Sequence, residues 1–370
     1  MHIAIDARII NSSTGRYVER LLHYLEQVDR VNDYTVLVRA KDERFWTPTG
    51  ENFRVRVADF DNYSLAEQTG FKRLLDELAP DLVHFCMPQQ PVLYTGRVVT
   101  TIHDLTLLNT YNSDKNWLVY RFKQLVGHFV FKRVAKKSDL VLTGTEYVRR
   151  RVIEFANIPE NKIVVTPESA DKPDIAPEPY EDLVGTDYIM YVGSQSDYKN
   201  IRRLMVAHQD LLADHPDLRL VLVGKTTGVN GRPAGRNQAW AAKKRFKNIL
   251  FTGFVPDEKL SWLYAHTSAY IFPSLSEGFG LPGLEAMLHG APVISSDATC
   301  LPEVYGAAAE YFEPTDTTDM AAAIRRVIDD PERRNELIKA GHVQAKKYSW
   351  RRMAEQTHQA YMTVLKSVSK

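Results

Sequence analysis

Cysteine is scarce in this sequence, and long apolar runs are missing from it. Its 370 residues include two cysteines, Cys86 and Cys300, which lie far apart and belong to no CxxC pair. This excludes a disulfide framework or a cysteine zinc site, and it fits a reducing compartment. The apolar runs are as short as Tyr188–Val192, whereas a helix that spans a bilayer needs about 20 residues. Met1–Ile5 lacks the cationic leader and long apolar core of a signal peptide, so we expect a cytoplasmic protein.

An excess of charge of one sign is also missing. Lys and Arg number 47 against 46 Asp and Glu, a net charge of +1, which argues against a nucleic-acid partner. None of the 11 histidines has a zinc-ligand spacing such as HExxH, and no GxSxG nucleophile motif occurs. Asp59-Phe60-Asp61 imitates a metal-binding DxD motif, but it lies in a polar stretch between short strands. The sequence therefore predicts neither a bound metal nor a serine nucleophile.

What the sequence does contain is an alternation of short β-branched runs with longer helical patterns. Such alternation is typical of βαβ units and a parallel sheet. In the first half, strands are predicted at His2–Ile5, Tyr34–Arg39, Arg54–Ala58, Leu82–Phe85, Val98–Ile102 and Leu140–Thr143, and helices at Tyr17–Gln27, Leu65–Leu78 and Trp117–Lys136. In the second half, strands are predicted at Tyr188–Val192, Leu218–Val223, Ile249–Thr252, Ala269–Phe272, Pro292–Ser295 and Glu310–Phe312, and helices at Met205–Ala213, Asp257–Ala265, Leu281–His289, Asp319–Ile328 and Glu332–Tyr348.

Two domains follow from this pattern. Four prolines between residues 167 and 179, among many acidic residues, interrupt the alternation and indicate a linker. A single domain usually holds about 100–200 residues, so a chain of this length favours two. We therefore predict an α/β protein with two doubly wound parallel sheets, one over residues 1–170 and one over residues 171–350.

The most informative segment is Ser276–Leu288, which follows an apolar run and opens a helical pattern. Gly278 and Gly280 remove side chains there, so backbone amides at the helix N-terminus can approach an anion such as a diphosphate. Glu277 and Glu285 flank this loop, and their carboxylates can accept hydrogen bonds from sugar hydroxyls. A plain helix start, with acidic residues that suit the helix dipole, is the simpler interpretation of the same segment.

The same glycines also match a dinucleotide fingerprint. Gly278-x-Gly280-x-x-Gly283 is followed by Glu303 twenty residues beyond Gly283, which makes a nicotinamide dehydrogenase a competing hypothesis. That fingerprint normally lies in the first strand–turn–helix of its domain. Here several βα units precede it, and Ile5–Arg8 at the start of the chain supplies no such glycines.

Several spaced motifs resemble those of one enzyme family. The segment from Glu277 to Glu285 is similar to the E-x7-E signature of the retaining family-4 glycosyltransferases, the glycosyl transferases group 1, which have the GT-B fold. Other motifs follow in family order along most of the chain: Asp6-Ala-Arg8, Thr14–Tyr17, Thr101–Leu105, Thr143–Tyr147, Tyr191–Gly193, Lys199-Asn200, Leu222–Lys225, Phe251–Gly253 and Leu301–Val304. The chain most resembles the mannosyltransferase-B-like branch, which builds bacterial surface polysaccharides from nucleotide sugars.

The resemblance implies a set of site residues. Glu277 would hold the donor sugar, Glu285 the ribose, and Lys199 the diphosphate of the leaving group, where a cation offsets growing negative charge. His103 would lie near the donor sugar and the attacking hydroxyl. The other implied contacts are the backbone amides of Gly278, Phe279, Gly280 and Leu281 for sugar and phosphate, Phe254 and Val255 for the base, Lys225 for the donor, and Gly15 and Arg16 for a phosphate or acceptor loop.

The resemblance also implies an architecture and a reaction. Two Rossmann-like domains would face each other across a cleft, and a C-terminal helix over residues 351–370 would cross back to the first domain. We predict a metal-independent, cofactor-free retaining hexosyltransferase. It would move mannose from GDP-mannose to a hydroxyl on a glycan or lipid-linked glycan, in surface polysaccharide or glycoconjugate synthesis. Since no carboxylate is an evident nucleophile, a front-face substitution assisted by the departing phosphate is favoured.

One departure from the family pattern keeps an alternative open. The family usually has an arginine close before this lysine, and residues 194–198 contain none. Arg16, Arg202 and Lys225 are the candidates for the second phosphate cation, and the sequence does not choose among them. A catalytically inactive scaffold that binds nucleotide sugars is therefore a second hypothesis, ahead of the NAD-dependent dehydrogenase.

A further segment, Trp117–Lys137, mixes aromatic and basic residues. A basic, aromatic amphipathic helix can lie on an anionic membrane surface, here the inner face, which would suit a lipid-linked acceptor. A helix packed on the first sheet with a solvated basic edge is the more common case, and the sequence alone leaves both interpretations open.

Overall fold

The chain forms two compact units, each built on its own sheet. The computed structural model describes residues 1–12, 14–109, 117–224 and 235–367. Of these, residues up to 109, 117–168 and 349–367 belong to the first unit, and 169–224 and 235–348 to the second. The C-terminal segment from Ser349 is therefore part of the first unit, although the chain reaches it only after the second.

The first sheet is parallel throughout, in the order β3-β2-β1-β4-β5-β6-β7. Its strands are β1 (His2–Asp6), β2 (Asp33–Val38), β3 (Phe53–Val57), β4 (Leu82–Phe85), β5 (Val98–Thr101), β6 (Leu140–Thr143) and β7 (Ile163–Val165). Ile3, Ala4 and Ile5 are all fully buried, as expected for a parallel strand covered on both faces. The strand order reverses between β1 and β4, where open α/β sheets bind ligands at the carboxyl ends of the strands.

The helices of the first unit pack on this sheet. They are α1 (Gly15–Val28), α2 (Lys72–Leu78), α3 (Thr106–Asn109), α4 (Trp117–Lys137), α5 (Glu146–Ala156) and the C-terminal α13 (Trp350–Lys366). Helix α13 packs against α1. Met353, Thr357 and Tyr361 are fully buried at a spacing of four residues, which forms the apolar stripe that docks the helix.

The second sheet repeats the same topology, with the order β10-β9-β8-β11-β12-β13. Its strands are β8 (Tyr188–Val192), β9 (Arg219–Val223), β10 (Ile249–Gly253), β11 (Ala269–Phe272), β12 (Val293–Ser296) and β13 (Ala309–Phe312). Its helices are α6 (Ile201–Leu211), α7 (Gly235–Lys244), α8 (Asp257–His266), α9 (Leu281–Leu288), α10 (Leu301–Tyr305), α11 (Thr317–Ile328) and α12 (Pro331–Ala345). The switch point of this sheet lies between β8 and β11. No helix in the described ranges is long and apolar enough to cross a membrane.

The α/β class with two doubly wound parallel sheets is confirmed, but several predicted boundaries are wrong. The helix predicted at Met205–Ala213 begins at Ile201, because Asn200 takes a left-handed conformation (φ 61°) that ends the preceding turn. The helix predicted at Leu65–Leu78 is present over that whole range, with a π-helical turn at Glu67–Phe71 inside it. The sequence pattern does not predict β7, α5 or α7, since β7 has three residues and both helices are rich in charge.

Candidate active site

The loops that follow β8 and β11 lie at the switch point of the second sheet. Lys199 ends a 3₁₀ turn in the first loop, and Glu277 lies in the second. Asn200 joins the two loops, because its side-chain amide donates to the carbonyl oxygen of Pro273 at 3.0 Å. The same amide donates to the carbonyl oxygen of Pro314, after β13, at 2.6 Å. The fold therefore brings Lys199 and Glu277 together although 78 positions separate them in the chain.

Lys199 and Glu277 form a nearly buried ion pair. The Nζ–Oε1 distance is 2.6 Å, and the two side chains are 13% and 12% exposed. The lysine Nζ also lies 5.2 Å from the ring centroid of Tyr198 and 5.5 Å from that of Phe272. Burial acts to lower the pKa of Lys199, but the Glu277 carboxylate outweighs it and raises that pKa above its ordinary value. The pair is thus a fixed cation and anion at the edge of the sheet where ligands bind.

The backbone of Glu277 is held by the start of α10. Its N–H donates to the hydroxyl oxygen of Thr299 at 3.2 Å, and the thiol of Cys300 donates to its carbonyl oxygen at 3.3 Å. Thr299 has a φ of 58°, so this loop is strained as well as bonded. Sequence reasoning missed both residues. Their place after the predicted strand β12 was the signal that could have found them.

The glycines of this segment are explained by packing against Tyr305. The Tyr305 hydroxyl donates to the carbonyl oxygen of Gly280 at 2.5 Å. A Cβ atom on Gly280 would lie 2.6 Å from that hydroxyl oxygen, and a Cβ atom on Gly283 only 2.3 Å from it. Gly280 also has a φ of 100°, which favours glycine. Packing against a tyrosine of the same unit therefore accounts for the dinucleotide-like spacing of these glycines. The glycine segment also follows the fourth strand of this sheet rather than the first.

The remaining residues predicted around this loop differ in exposure. Gly278 and Phe279 are buried, and the Phe279 ring packs edge-on against Tyr348 with centroids 5.4 Å apart. Leu281 and Glu285 are half-buried on α9. Their contacts with a donor stay predictions.

Two other predicted donor contacts follow β10. Val255 is buried at 6% exposure, whereas Phe254 is 72% exposed. An exposed phenylalanine beside a strand end has a face available for stacking on a base. Lys225, the third residue predicted for the donor on this side of the sheet, lies outside the described residues.

The second phosphate cation has a candidate that sequence reasoning missed. Arg202 is engaged elsewhere, since its Nε donates to Asn237 at 3.2 Å and its guanidinium lies 5.4 Å from the Trp240 ring centroid. Arg236, in the first turn of α7, lies 3.7 Å from the carboxylate of Asp197 in the turn that carries Lys199. The first turn of α7 therefore contacts the loop in which the family arginine is missing.

His103 is held in the first unit by two acceptors. Its Nε2 lies 3.1 Å from the carbonyl oxygen of Cys86, and its Nδ1 lies 3.0 Å from Oε1 of Glu168. A carbonyl oxygen only accepts, so Nε2 carries a proton. Burial acts to lower the pKa of His103, but Glu168 outweighs it and raises that pKa. Both ring nitrogens of His103 are therefore hydrogen-bonded within the first unit, and Glu168 favours the protonated ring.

A buried polar chain lies beside His103. The Tyr17 ring meets the His103 ring edge-on at 4.7 Å, and the Tyr17 hydroxyl lies 2.9 Å from the Thr101 hydroxyl. The same Thr101 hydroxyl lies 2.8 Å from Nε2 of His84, whose Nδ1 lies 2.6 Å from the Tyr361 hydroxyl on α13. Burial lowers the pKa of His84 to about 3, so its ring is neutral. Sequence reasoning missed this chain, which joins α13 to the surroundings of His103.

The N-terminal motifs have packing roles in the first unit. A Cβ atom on Gly15 would lie 1.8 Å from the carbonyl oxygen of Ile10, so only glycine fits at the start of α1. Arg16 beside it is exposed. The buried Arg8 guanidinium donates to Asp6 and to Glu67 at 2.8 and 2.9 Å, which fixes the end of β1.

The DxD-like segment has no metal-site geometry. Asp59 is exposed, and the Asp61 carboxylate pairs with Arg39 at 3.0 Å. Within the part of the chain that the structure describes, no three His, Cys, Asp or Glu side chains form a group able to hold a metal ion.

Comparison with solved structures defines the fold class. Sucrose-phosphate synthase from Thermosynechococcus elongatus matches with a TM-score of 0.78 at 18% identity, over 98% of this chain and 99% of that chain. HepE from Anabaena, solved in complex with UDP and glucose, matches with a TM-score of 0.71 at 15% identity, over 98% and 99%. With the two parallel sheets, these neighbours place the chain in the GT-B fold class.

Comparison of sequences defines the family. The family model Glycosyltransferase Family 4 matches residues 14–172, and the model Glycosyl transferases group 1 matches residues 178–344. O-antigen chain mannosyltransferase B of Escherichia coli is 32% identical over 283 residues, which are 72% of this chain and 70% of the relative. Serotype-specific mannosyltransferase WbdA of Escherichia coli is 25% identical over 98% of this chain, which spans 46% of that relative. The chain belongs to the group 1, family 4 glycosyltransferases, as its motifs predict.

Proposed function

We propose that this glycosyltransferase is a retaining mannosyltransferase, which transfers mannose from GDP-mannose to a hydroxyl on a glycan or lipid-linked glycan. The observation that carries the proposal is the Lys199–Glu277 ion pair at the switch point of the second sheet. The choice of mannose is supported by the relatives, since mannosyltransferase B and WbdA are both named for that sugar.

A nucleoside diphosphate sugar supplies new partners for both members of the pair. Its phosphate oxygens accept hydrogen bonds, and the Lys199 ammonium has three N–H donors, more than its contact with Glu277 uses. Its sugar hydroxyls donate, and the Glu277 carboxylate only accepts. Without the donor, the two side chains neutralise each other at 2.6 Å, so neither charge is left nearly buried and unpaired. The ion pair is therefore suited to keep both side chains charged before the donor binds and to separate when the donor supplies new partners.

The role proposed for Glu277 favours front-face substitution. When the donor is bound, the Glu277 carboxylate accepts hydrogen bonds from the sugar hydroxyls, and this role differs from that of a nucleophile that forms a covalent intermediate. In the proposed step, the bond from the anomeric carbon to the phosphate oxygen breaks while the acceptor oxygen bonds to the same face. The proton of the acceptor hydroxyl passes to the departing phosphate. Lys199 stabilises the negative charge that grows on that phosphate.

We assign the second phosphate cation to Arg236. Its guanidinium lies beside Asp197, in the turn that carries Lys199, and its neighbour Asn237 bonds both Arg202 and the backbone of Gln195. These contacts attach the first turn of α7 to the loop that lacks the family arginine. A guanidinium suits this place, because its planar fork binds two phosphate oxygens at once.

His103 acts in this proposal as a fixed cation of the first unit rather than as a base. Its ring nitrogens lie against Glu168 and the Cys86 carbonyl oxygen. In this proposal both of them donate, so neither has a lone pair for the acceptor proton. This is a second reason to assign that proton to the departing phosphate. An imidazolium held in this way stabilises negative charge and keeps the loop after β5 in one conformation.

A lipid-linked acceptor is supported by the outer face of α4. Leu125 and Phe129 are 69% and 62% exposed, and Lys132 and Lys136 are exposed on the same helix. Its inner face is buried in the first unit, so the helix packs on the core and still presents an apolar, basic surface. We propose that this surface contacts the inner, anionic face of a membrane. Charge reversal of Lys132 and Lys136 should then reduce co-sedimentation with anionic liposomes, and unchanged binding would remove this part of the proposal.

The function is tested by the identity and the anomeric configuration of the product. Purified protein is incubated with GDP-mannose, UDP-glucose or UDP-galactose and a mannose-terminated oligosaccharide, and the product is examined by proton NMR. We expect an α-linked mannoside from GDP-mannose alone. A β-linked product would contradict retention, and transfer from a UDP sugar only would contradict the donor. Donor binding by calorimetry without transfer to any of a panel of acceptors would favour the inactive scaffold.

A further inference from the structure

A cavity of about 440 Å³ lies in the first unit, at the opposite sheet edge from His103. The segment Val92–Arg97 forms one wall and enters β5 at its amino end, whereas His103 follows the carboxyl end of that strand. Arg133 and Lys137 from the end of α4, with Asp139 before β6, form the other wall. A cavity of this size is within the range of small-ligand sites, about 300–1,000 Å³. It is separate from every residue proposed above for transfer.

The Lys137 ammonium is the unusual feature of this cavity. Its Nζ atom is buried and, among the described residues, donates to no hydrogen-bond acceptor. It lies over the Tyr94 ring, with the centroid 5.6 Å away. Burial, with the nearby Arg133 cation, lowers the pKa of Lys137 to about 8. A buried ammonium without an acceptor destabilises the protein, so this position is suited to an acceptor that comes from outside the chain.

The charges around the cavity favour an anion. Arg97, Arg133 and Lys137 line it against a single carboxylate, Asp139. One oxygen of that carboxylate already accepts a hydrogen bond from the Val98 N–H at 2.7 Å, at the amino end of β5. Two guanidinium groups and an ammonium group around one space are the donors that bind phosphate oxygens in proteins.

We propose that this cavity binds a phosphoryl group through Lys137, Arg133 and Arg97. Two kinds of ligand supply a phosphoryl group: the headgroup of an anionic membrane lipid and a small soluble phosphate. The surroundings favour the lipid, because Phe129 is exposed one helical turn before Arg133 on α4. The cavity is then a headgroup site at the border of the apolar, basic face of that helix. This inference does not depend on which sugar the enzyme transfers.

The first test compares thermal unfolding with and without inorganic phosphate, at constant ionic strength set with chloride. Wild type should be stabilised by a few degrees at millimolar phosphate, and Lys137→Met should lose most of that shift. Lys132→Met is the matched control, since Lys132 lies on the same helix and does not line the cavity. It should keep the whole shift. Equal shifts in all three proteins, or no shift in wild type, would overturn the proposal.

The unfolding temperature of Lys137→Met without phosphate also tests the proposal. Without phosphate, Lys137→Met should unfold at the same temperature as wild type or higher, because it removes a buried charge that has no acceptor. Its transfer activity with a soluble acceptor should be unchanged. A lower unfolding temperature without phosphate would mean that Lys137 has a partner within the protein, and the proposal would fail.

The second test separates the two sources. Flotation with phosphatidylglycerol–phosphatidylcholine vesicles is compared with flotation with pure phosphatidylcholine vesicles, for wild type, Lys137→Met and Lys132→Met. If the lipid is the source, Lys137→Met weakens binding to the anionic vesicles more than Lys132→Met does. If both variants bind those vesicles equally while Lys137→Met still loses the phosphate shift, the ligand is a soluble phosphate.

Discussion

The strength of the Lys199–Glu277 ion pair can be measured without any substrate. The Glu277 side chain is only 12% exposed, and Lys199→Met removes its cation. The free energy of unfolding of the second unit should therefore fall by about 3 kcal/mol. Urea denaturation measures the loss. The double variant Lys199→Met/Glu277→Leu should recover most of it, because no charge is then left unpaired. Arg351→Met breaks a half-exposed pair with Glu355 and should cost under about 1 kcal/mol. Equal losses in the two single variants would contradict a buried pair.

The pair of His103 and Glu168 predicts a pH dependence. The pKa of His103 is raised in the folded protein, with burial opposed and outweighed by Glu168. A raised folded-state pKa gives stability that is fully present below the unfolded pKa of about 6.5 and is lost as the pH rises through the folded value. Glu168→Gln should therefore destabilise the first unit more at pH 6 than at pH 9. His23→Gln, on the exposed side of α1, is the control and should leave the pH profile unchanged. A Glu168→Gln loss that is the same at both pH values would argue against the imidazolium.

At the scale of the elements, the contact between α9 and α10 decides whether the loop of Glu277 can form. Gly283→Ala places a methyl group 2.3 Å from the Tyr305 hydroxyl oxygen, inside any allowed contact. Overpacking of this kind costs about 1–3 kcal/mol, and we expect lower stability together with weaker donor binding. Tyr305→Leu in the same chain should restore part of the stability.

Gly127→Ala in α4 is the matched control for this substitution. The atom nearest to its new methyl group is the end of the Leu108 side chain, at 3.0 Å, which can move. Replacing a glycine within a helix by alanine should be neutral or stabilising by up to about 1 kcal/mol. Differential scanning calorimetry compares the variants. A Gly283→Ala protein as stable as wild type would contradict the packing role of Tyr305.

These contacts mark how far the sequence predicts the site. Glu277, its glycines and Glu285 lie within ten positions, so a local pattern predicts the loop and the helix that follows it. Tyr305, Thr299 and Asn200 act through neighbouring strands of the sheet, and no local pattern contains that adjacency. The missing arginine is a further case, since Arg236 lies 37 positions after Lys199 and reaches its turn only through the packing of α7. The fold class is easier to predict, because each parallel strand is buried and therefore apolar.

At the scale of the whole molecule, buried neutral histidines predict sensitivity to acid. Burial lowers the pKa of His84 to about 3, of His208 to about 4 and of His289 to about 4. A lowered folded-state pKa gives stability that is present above the unfolded pKa and is lost as the pH falls below it. His208 is fully buried and donates to the Leu218 carbonyl oxygen, so it alone should contribute a loss of about 3 kcal/mol between pH 6.5 and pH 4.

Unfolding by urea at several pH values tests this account. His208→Gln keeps a donor at the same place and should make the acid dependence of the second unit less steep, whatever it does to stability at pH 7. The exposed-site variant His23→Gln should keep the wild-type slope. A His208→Gln slope equal to that of wild type would show that His208 is not kept neutral by the fold.

We expect the Lys199–Glu277 pair to hold the donor during transfer. The most direct measurement is the rate of mannose transfer from GDP-mannose by wild type, Glu277→Gln and the exposed-site control Glu336→Gln, each shown to be folded by circular dichroism. Glu277→Gln keeps the size of the side chain but loses its charge, so we predict a rate at least about 100-fold lower, with the control unchanged. A folded Glu277→Gln protein that transfers mannose at the wild-type rate would contradict the account.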